Sequence, residues 1–261
     1  LLRGVPGTGK ATLVDDIIKN LISNNDERID NVLRLNIHSA TTNTSLMQGV
    51  SVSLENGNII YKEKEGILLS FILKAIKNPL RPYVLVLEEV QENNLNELIG
   101  DLIYLIEIDK RANLINHREL LSNYENPYDA ISEIVRVDNK VHFVSIPNLI
   151  ESSKNKDLRK IVVPKNLYIF CTSNYREDKK VLEDNLLRRF HVIELYPQES
   201  LIENKGARIF FKSLNNSILN HIEPDISEKF LIGHADWMKV NSNEDFYRSL
   251  LKVVIEFKDI K

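Results

Sequence analysis

The chain has 261 residues, a net charge of −3, 43% hydrophobic and 27% charged residues, and a single cysteine, Cys171. This is the composition of an ordinary globular protein, with room for one large domain or a large and a small one. It excludes a global basic field for nucleic acid, an internal disulfide and a cysteine-built structural zinc site. No apolar run approaches the ~18 residues of a membrane span, and no signal peptide is visible. A cytoplasmic protein is expected, with Cys171 a buried, inert thiol at the end of an apolar run.

In chain order, Leu1-Leu2-Arg3 reads as the end of a strand. Gly4-Val5-Pro6-Gly7-Thr8-Gly9-Lys10 follows, a G-x-x-x-x-G-K phosphate-binding loop. Its glycines let backbone N–H groups close around a polyphosphate, and Lys10 is placed to reach the β- and γ-phosphates. Leu13, Ile17, Ile18 and Leu21 then make an apolar stripe at helical spacing, so the loop opens a helix whose N-terminus faces phosphate. Such a loop needs a full strand before it, and the expectation is that the native protein extends upstream. The next residue, Ala11, stands where a Ser or Thr hydroxyl would ligate Mg²⁺.

Further along, 32–35 reads as a strand, 51–61 as a hairpin around Asn56-Gly57-Asn58, and 66–76 as a helix. The run 83–87 suits a strand buried on both faces, 95–106 a helix, 141–146 a strand and 167–171 another buried strand. Residues 192–195 read as a fourth core strand, and 110–165 as polar, irregular insertions or loops. This alternation predicts an α/β fold, a parallel sheet with helices on both faces, over 1–197. After Pro197 the stretches 201–222, 226–232 and 245–257 look helical, which predicts a small helical lid over 198–261.

Three further motifs carry chemistry. Val84-Leu85-Val86-Leu87-Glu88-Glu89 ends a hydrophobic strand in two carboxylates, the first to support Mg²⁺ and the second to orient attacking water. The usual pair is Asp-Glu, so Glu88 is one methylene longer. Phe170-Cys171-Thr172-Ser173-Asn174 ends a buried strand in a polar residue able to sense a γ-phosphate. Leu186-Leu187-Arg188-Arg189-Phe190 offers an arginine finger for the charge that develops in phosphoryl transfer. The bland readings are a solvated charge pair, a turn asparagine and a surface salt bridge.

The order of these motifs resembles an AAA+ ATPase, and more narrowly the McrB-type motor subunits of modification-dependent restriction systems. The likeness runs over nearly the whole chain. It is carried by Leu46-Met47-Gln48-Gly49, Lys64-Glu65-Gly66-Ile67, and Glu88-Glu89-Val90-Gln91-Glu92-Asn93-Asn94-Leu95 against the family's Asp-Glu-Ile-Asn-Arg-x-Asn-Leu. The stretches 105–111 and 163–169 and the tail's Ile232-Gly233-His234 also fit. The resemblance implies that Gly4, Val5, Pro6, Gly7, Thr8, Gly9, Lys10, Ala11 and Thr12 bind the nucleotide, Thr12 at the α-phosphate. It makes Glu88 the metal carboxylate, Glu89 the catalytic acid, Asn174 the sensor, and Arg188 or Arg189 a finger acting across a subunit boundary. It implies a ring, commonly a hexamer, that hydrolyses GTP, recruits a McrC-like nuclease subunit and meets DNA indirectly or through an upstream domain.

The departures are specific. Where the family carries Met-Asn-Thr-Ala-Asp-Arg-Ser, tied to GTP use, this chain reads Ser173-Asn174-Tyr175-Arg176-Glu177-Asp178-Lys179, which leaves GTP and ATP both open. Ala11 and Glu88 both alter the Mg²⁺ shell, and the longer Glu88 could offset the missing hydroxyl. Two other readings stand beside the restriction motor: a MoxR-like remodelling ATPase, and a hydrolysis-impaired nucleotide-binding scaffold. Lys110-Arg111, Arg118 and the run 154–160 could line a pore or meet a partner, or form a solvated face. His234 and Trp237 mark a nucleotide-proximal lid or, for Trp237, a packed core.

Overall fold

The computed structural model describes residues 1–150, 158–174 and 184–258. Residues 154–157 of the basic run and 175–179 after the sensor asparagine lie outside them. The fold is α/β, built on a five-stranded parallel sheet in the order β2-β5-β8-β1-β9. The strands are β1 (Leu2–Gly4), β2 (Val32–Asn36), β5 (Tyr83–Glu88), β8 (Leu167–Asn174) and β9 (Ile193–Glu194). Strand β5 reads Tyr-Val-Leu-Val-Leu-Glu, and its first five residues are all buried, as a central parallel strand covered on both faces requires.

The described residues divide into two compact units, and β8 begins in one and ends in the other. The larger comprises 18–171 and 184–191. It holds α2 (Asn25–Asn31), α3 (Asn43–Leu46), the hairpin β3 (Gln48–Glu55) and β4 (Asn58–Glu65), and α4 (Ile67–Lys77). The hairpin turns through Asn56-Gly57, with Glu55 facing Asn58, as the sequence predicts, though its arms are longer. Its base is fastened: Arg159 pairs with Glu63 at 3.0 Å, and the Tyr128 hydroxyl donates to Glu65 at 3.1 Å. Val52, Leu54, Ile59 and Tyr61 occupy one face of the hairpin and are all exposed. Helix α4 buries Leu68, Leu69, Phe71, Ile72, Leu73, Ala75 and Ile76, and the Phe71 ring meets Tyr83 edge-on.

Four expectations need correction. Residues 110–165 are not mainly irregular. They contain α6 (Arg118–Asn123), α7 (Pro127–Val137), β6 (Val144–Ile146) and β7 (Arg159–Ile161). Helix α7 starts on Pro127 at its first turn, is capped by Asn126, and buries Tyr128, Ala130, Ile131 and Ile134. That spacing of about three and a half residues was the available signal, hidden by polar neighbours. The helix expected over 95–106 is instead α5 (Leu95–Ile99) followed by a 3₁₀ run from Gly100, whose φ of 55° ends the α-helix. The strand at 192–195 is the two-residue edge strand β9, bonded only to β1, with Ile193 44% exposed, and is not a core strand. The helix expected over 226–232 is α10 (Pro224–Ser227) and a 3₁₀ turn that ends at Phe230.

The smaller unit comprises 1–17, 172–174 and 192–258. After β9 every regular element among the described residues is helical: α9 (Lys205–His221), α10, 3₁₀ turns and α11 (Asn243–Lys258). Asn204 caps α9 by accepting from the Ala207 N–H at 3.0 Å. Trp237 is core, 1% exposed, between the Phe210, Phe211 and Phe246 rings. The remaining helices are α1 (Lys10–Leu21), which opens on the loop, and α8 (Asp184–Leu187).

The burial of α7 sets a measurable expectation. Ile131→Ala empties a fully buried site and should cost about 2–5 kcal/mol. Val137→Ala, on the exposed end of the same helix, should stay within about 0.5 kcal/mol. Urea unfolding midpoints of the two variants check this.

Candidate nucleotide-binding site

Strand β1 ends at Gly4, which lies directly beside Asn174 in the parallel register with β8. The loop that follows has Gly7 at φ 75° and Gly9 at φ 81°, the left-handed region that side chains disfavour. Alternation of this kind turns successive N–H groups inward as an anion-binding concavity. Thr8 braces the loop from inside, donating to the Val5 carbonyl at 2.9 Å. Lys10 is 8% exposed and folds over the loop, its Nζ 2.9 Å from the Gly4 oxygen and 3.0 Å from the Val5 oxygen. Ala11 and Thr12 are exposed in the first turn of α1. These residues fit a polyphosphate: open N–H groups, a helix N-terminus and a cation on one short loop.

The helical tail is part of this loop's environment, within the same unit. Val5 belongs to the tail's hydrophobic core with Ile202, Phe211, Ile232 and Trp237. The Ala235 N–H donates to the Gly7 carbonyl at 3.0 Å. Gly233 lies so close that a Cβ there would strike the Pro6 carbonyl and come within 2.6 Å of the Gly7 carbonyl carbon. His234 is 4% exposed between them, and its Nδ1 accepts from the Gln198 N–H at 3.1 Å. Burial pulls the His234 pKa below its ordinary value. Asn174, the expected sensor, is buried beside Gly4. The sequence pointed to Gly233 and His234 only through a short family match; the crowding on Gly7 needed the structure.

In the larger unit, β5 delivers Glu88 and Glu89 at its carboxyl end. Glu88 pairs with Arg34 of β2 at 2.6 Å, and the Ile37 N–H donates to its backbone carbonyl. Glu89 adopts φ 56°, ψ 43°, a left-handed conformation uncommon for a residue other than glycine. It persists where surroundings over-determine it. Here the buried Gln91 donates its Nε2 to a Glu89 carboxylate oxygen at 2.6 Å. Arg34 and Gln91 were not singled out in the sequence, since neither carries a motif of its own.

The two arginines differ. Arg189 pairs with Glu107 at 2.6 Å and is partly buried. Arg188 is exposed and makes no ion pair among the described residues. Arg111, one of the pore or partner candidates, is committed to the Ile106 and Leu167 carbonyls at 2.8 and 2.9 Å. Lys110 lies over the Tyr104 ring, and Arg118 donates to the Ile115 carbonyl. A cleft of about 530 Å³ lined by Lys77, Arg81, Arg118 and Tyr124 opens near the start of β5, the opposite end of that strand from Glu88. The Cys171 thiol is fully buried and its pKa is pushed up to about 12, as expected of an inert thiol. No helix among the described residues is long and apolar enough to cross a membrane.

For Mg²⁺ the residues supply less than for phosphate. Ala11 offers no oxygen, and Glu88 is one carboxylate already engaged by Arg34. No cluster of three or more histidine, cysteine or acidic side chains able to hold a metal exists among the described residues. This suits a cation that keeps several waters and binds chiefly through nucleotide phosphates.

Residues 1–190 match the AAA domain (dynein-related subfamily). The chain is 24% identical over 250 residues to the type IV methyl-directed restriction enzyme EcoKMcrB subunit of Escherichia coli strain K12, covering 90% of this chain and 46% of that protein. It thus spans about half the length of that curated relative. A solved structure of C. elegans PCH-2 aligns over 98% of this chain and 60% of its own, with 16% identity and a TM-score of 0.32. The loop and strand ends described above are those of a nucleotide-binding domain, and the chain belongs to the dynein-related subfamily of AAA domains.

Proposed function

We propose that the chain is the nucleoside-triphosphatase motor of a McrB-like restriction system, working as a ring, commonly a hexamer, that drives a McrC-like nuclease on DNA. The observation that carries this reading is the similarity to the restriction-enzyme subunit over 90% of the chain, joined to a loop shaped for polyphosphate. Within it, the loop from Gly4 to Thr12 holds GTP or ATP, Glu88 is the protein's carboxylate for Mg²⁺, and 198–261 serves as the lid behind an αβα domain. A bound Mg²⁺ would neutralise charge on the phosphates. Glu89 orients the attacking water, its left-handed backbone and the Gln91 amide fixing where the carboxylate points. Asn174 senses the terminal phosphate from its place beside Gly4.

Between the two arginines, the geometry favours Arg188 as the finger reaching a neighbouring subunit, since it is exposed. Arg189 is tied to Glu107 within its own unit and holds the turn in place. A second reading, a nucleotide-binding scaffold that turns over slowly, is favoured by Ala11 and by the Glu88–Arg34 pair.

Phosphate release from the purified chain with Mg²⁺ and either GTP or ATP tests the main reading. Turnover with one of them is expected; tight binding without release would favour the scaffold, and no binding would sink both. Lys10→Ala should weaken binding of a fluorescent nucleotide analogue by about tenfold or more, the worth of a hydrogen bond to a charged group.

Arg188→Ala should lower turnover by about a thousandfold with binding nearly unchanged, as loss of an arginine finger does. Mixing it with Lys10→Ala subunits should restore activity, because intact sites then form across subunit boundaries. Arg189→Ala should instead lower the melting temperature. A mixture as inactive as its components would count against a finger acting in trans.

A further inference from the structure

Three observations converge on His234. First, it is nearly sealed from solvent, yet no strand or helix holds it: it sits in the short connection between Gly233 and Ala235 that lies on the phosphate-binding loop. The backbone on either side is fixed, with Ala235 N–H bonded to Gly7 and Met238 N–H bonded to the His234 carbonyl at 2.9 Å. Second, its Nδ1 accepts a backbone hydrogen bond from Gln198. A neutral imidazole has one donor and one acceptor nitrogen, so an accepting Nδ1 places the proton on Nε2. Burial, which disfavours the imidazolium, keeps the ring in that neutral form. Third, Nε2 lies 3.9 Å from the point where a Cβ of Gly9 would be. Among the described residues no acceptor meets it. The donor therefore sits against the residue that precedes Lys10, on a loop whose own N–H groups are arranged for an anion.

We propose that His234 donates its Nε2–H to the polyphosphate of the bound nucleotide, so that the helical tail supplies a ligand-contacting side chain to the loop it packs against. This rests on the reading of the loop as a nucleotide site. The contact is a neutral donor added to the charge of Lys10. It gives the tail a direct stake in occupancy: Val5 and Gly233 tie the tail to the loop's backbone, and His234 ties it to the ligand.

The two ring nitrogens can be separated by substitution. His234→Gln carries an amide to the Nε2 position and gives up the acceptor for Gln198; His234→Asn keeps an acceptor near Nδ1 and gives up the donor. Titration of the full chain with a fluorescent GTP or ATP analogue and Mg²⁺ should show His234→Asn and His234→Ala binding about tenfold more weakly, and His234→Gln within about threefold of the parent. In ¹⁵N-histidine-labelled parent protein, the Nε2–H resonance of His234 should shift on nucleotide addition, which a purely structural histidine would not do. Asn binding as tightly as the parent, or a resonance that stays in place in a parent that binds, overturns the proposal. So does Gln binding as weakly as Ala with a lowered melting temperature, which would leave His234 an anchor for Gln198. A parent that binds neither nucleotide overturns the loop's own reading, and the histidine's with it.

Discussion

The seat of the helical tail on the phosphate-binding loop is the constraint on which the candidate site depends. Gly233 has no Cβ because the Pro6 carbonyl and the Gly7 backbone occupy that space. The Gly7 oxygen is taken by the Ala235 N–H, and Val5 is sunk in the core that contains Trp237 and Phe211. A loop rich in glycine would otherwise have a high conformational entropy to lose when it closes on a ligand. Packing one of its residues into a hydrophobic core and capping one of its carbonyls settles part of that cost at folding. The loop meets its ligand already shaped, and pre-organisation of this kind strengthens binding without adding any contact.

The same logic governs the polar groups of the larger unit. Each candidate site residue there that is defined is held by a second residue with no motif: Glu88 by Arg34, Glu89 by Gln91, Arg189 by Glu107. Charges at strand ends are expensive to orient if each must find its geometry from a solvated ensemble, and a fixed partner removes that freedom. Arg188 stands apart because it is exposed, the condition expected of a group whose partner belongs to another subunit. The Glu89 backbone adds a different device. Its left-handed conformation re-aims the chain as β5 ends, turning the second carboxylate away from the strand direction that the first one follows.

Much of this was legible in the sequence where a signal is both local and strong. The loop spacing, the Asn56-Gly57 turn and the continuous apolar runs of β5 and β8 each encode their structure in a few adjacent residues. Helix α7 was missed because its buried Tyr128, Ala130, Ile131 and Ile134 are interleaved with charged residues in a polar stretch, so composition outweighed period. Strand β9 was over-read because a run of apolar residues marks a strand but not its place in the sheet; position came from pairing with β1 alone. The partners Arg34, Gln91 and Glu107, and the crowding at Gly233, depend on residues distant in sequence, and no local pattern specifies them.

The two departures in the metal shell acquire a common physical meaning from this arrangement. Ala11 removes a neutral oxygen ligand, and Glu88 is a carboxylate whose charge is already met by Arg34 at 2.6 Å. A divalent cation would have to compete with a guanidinium for that carboxylate, and a charge-assisted pair of this length is among the stronger polar contacts. Glu88 reaching further than an aspartate thus serves Arg34 at least as directly as it could serve a metal. The protein's own hold on Mg²⁺ is weakened on both counts, while its hold on phosphate, through Lys10 and the loop backbone, is intact. Recognition in this chain is therefore weighted toward the nucleotide's phosphates, with the cation entering as a companion of the nucleotide rather than as a fixture of the protein.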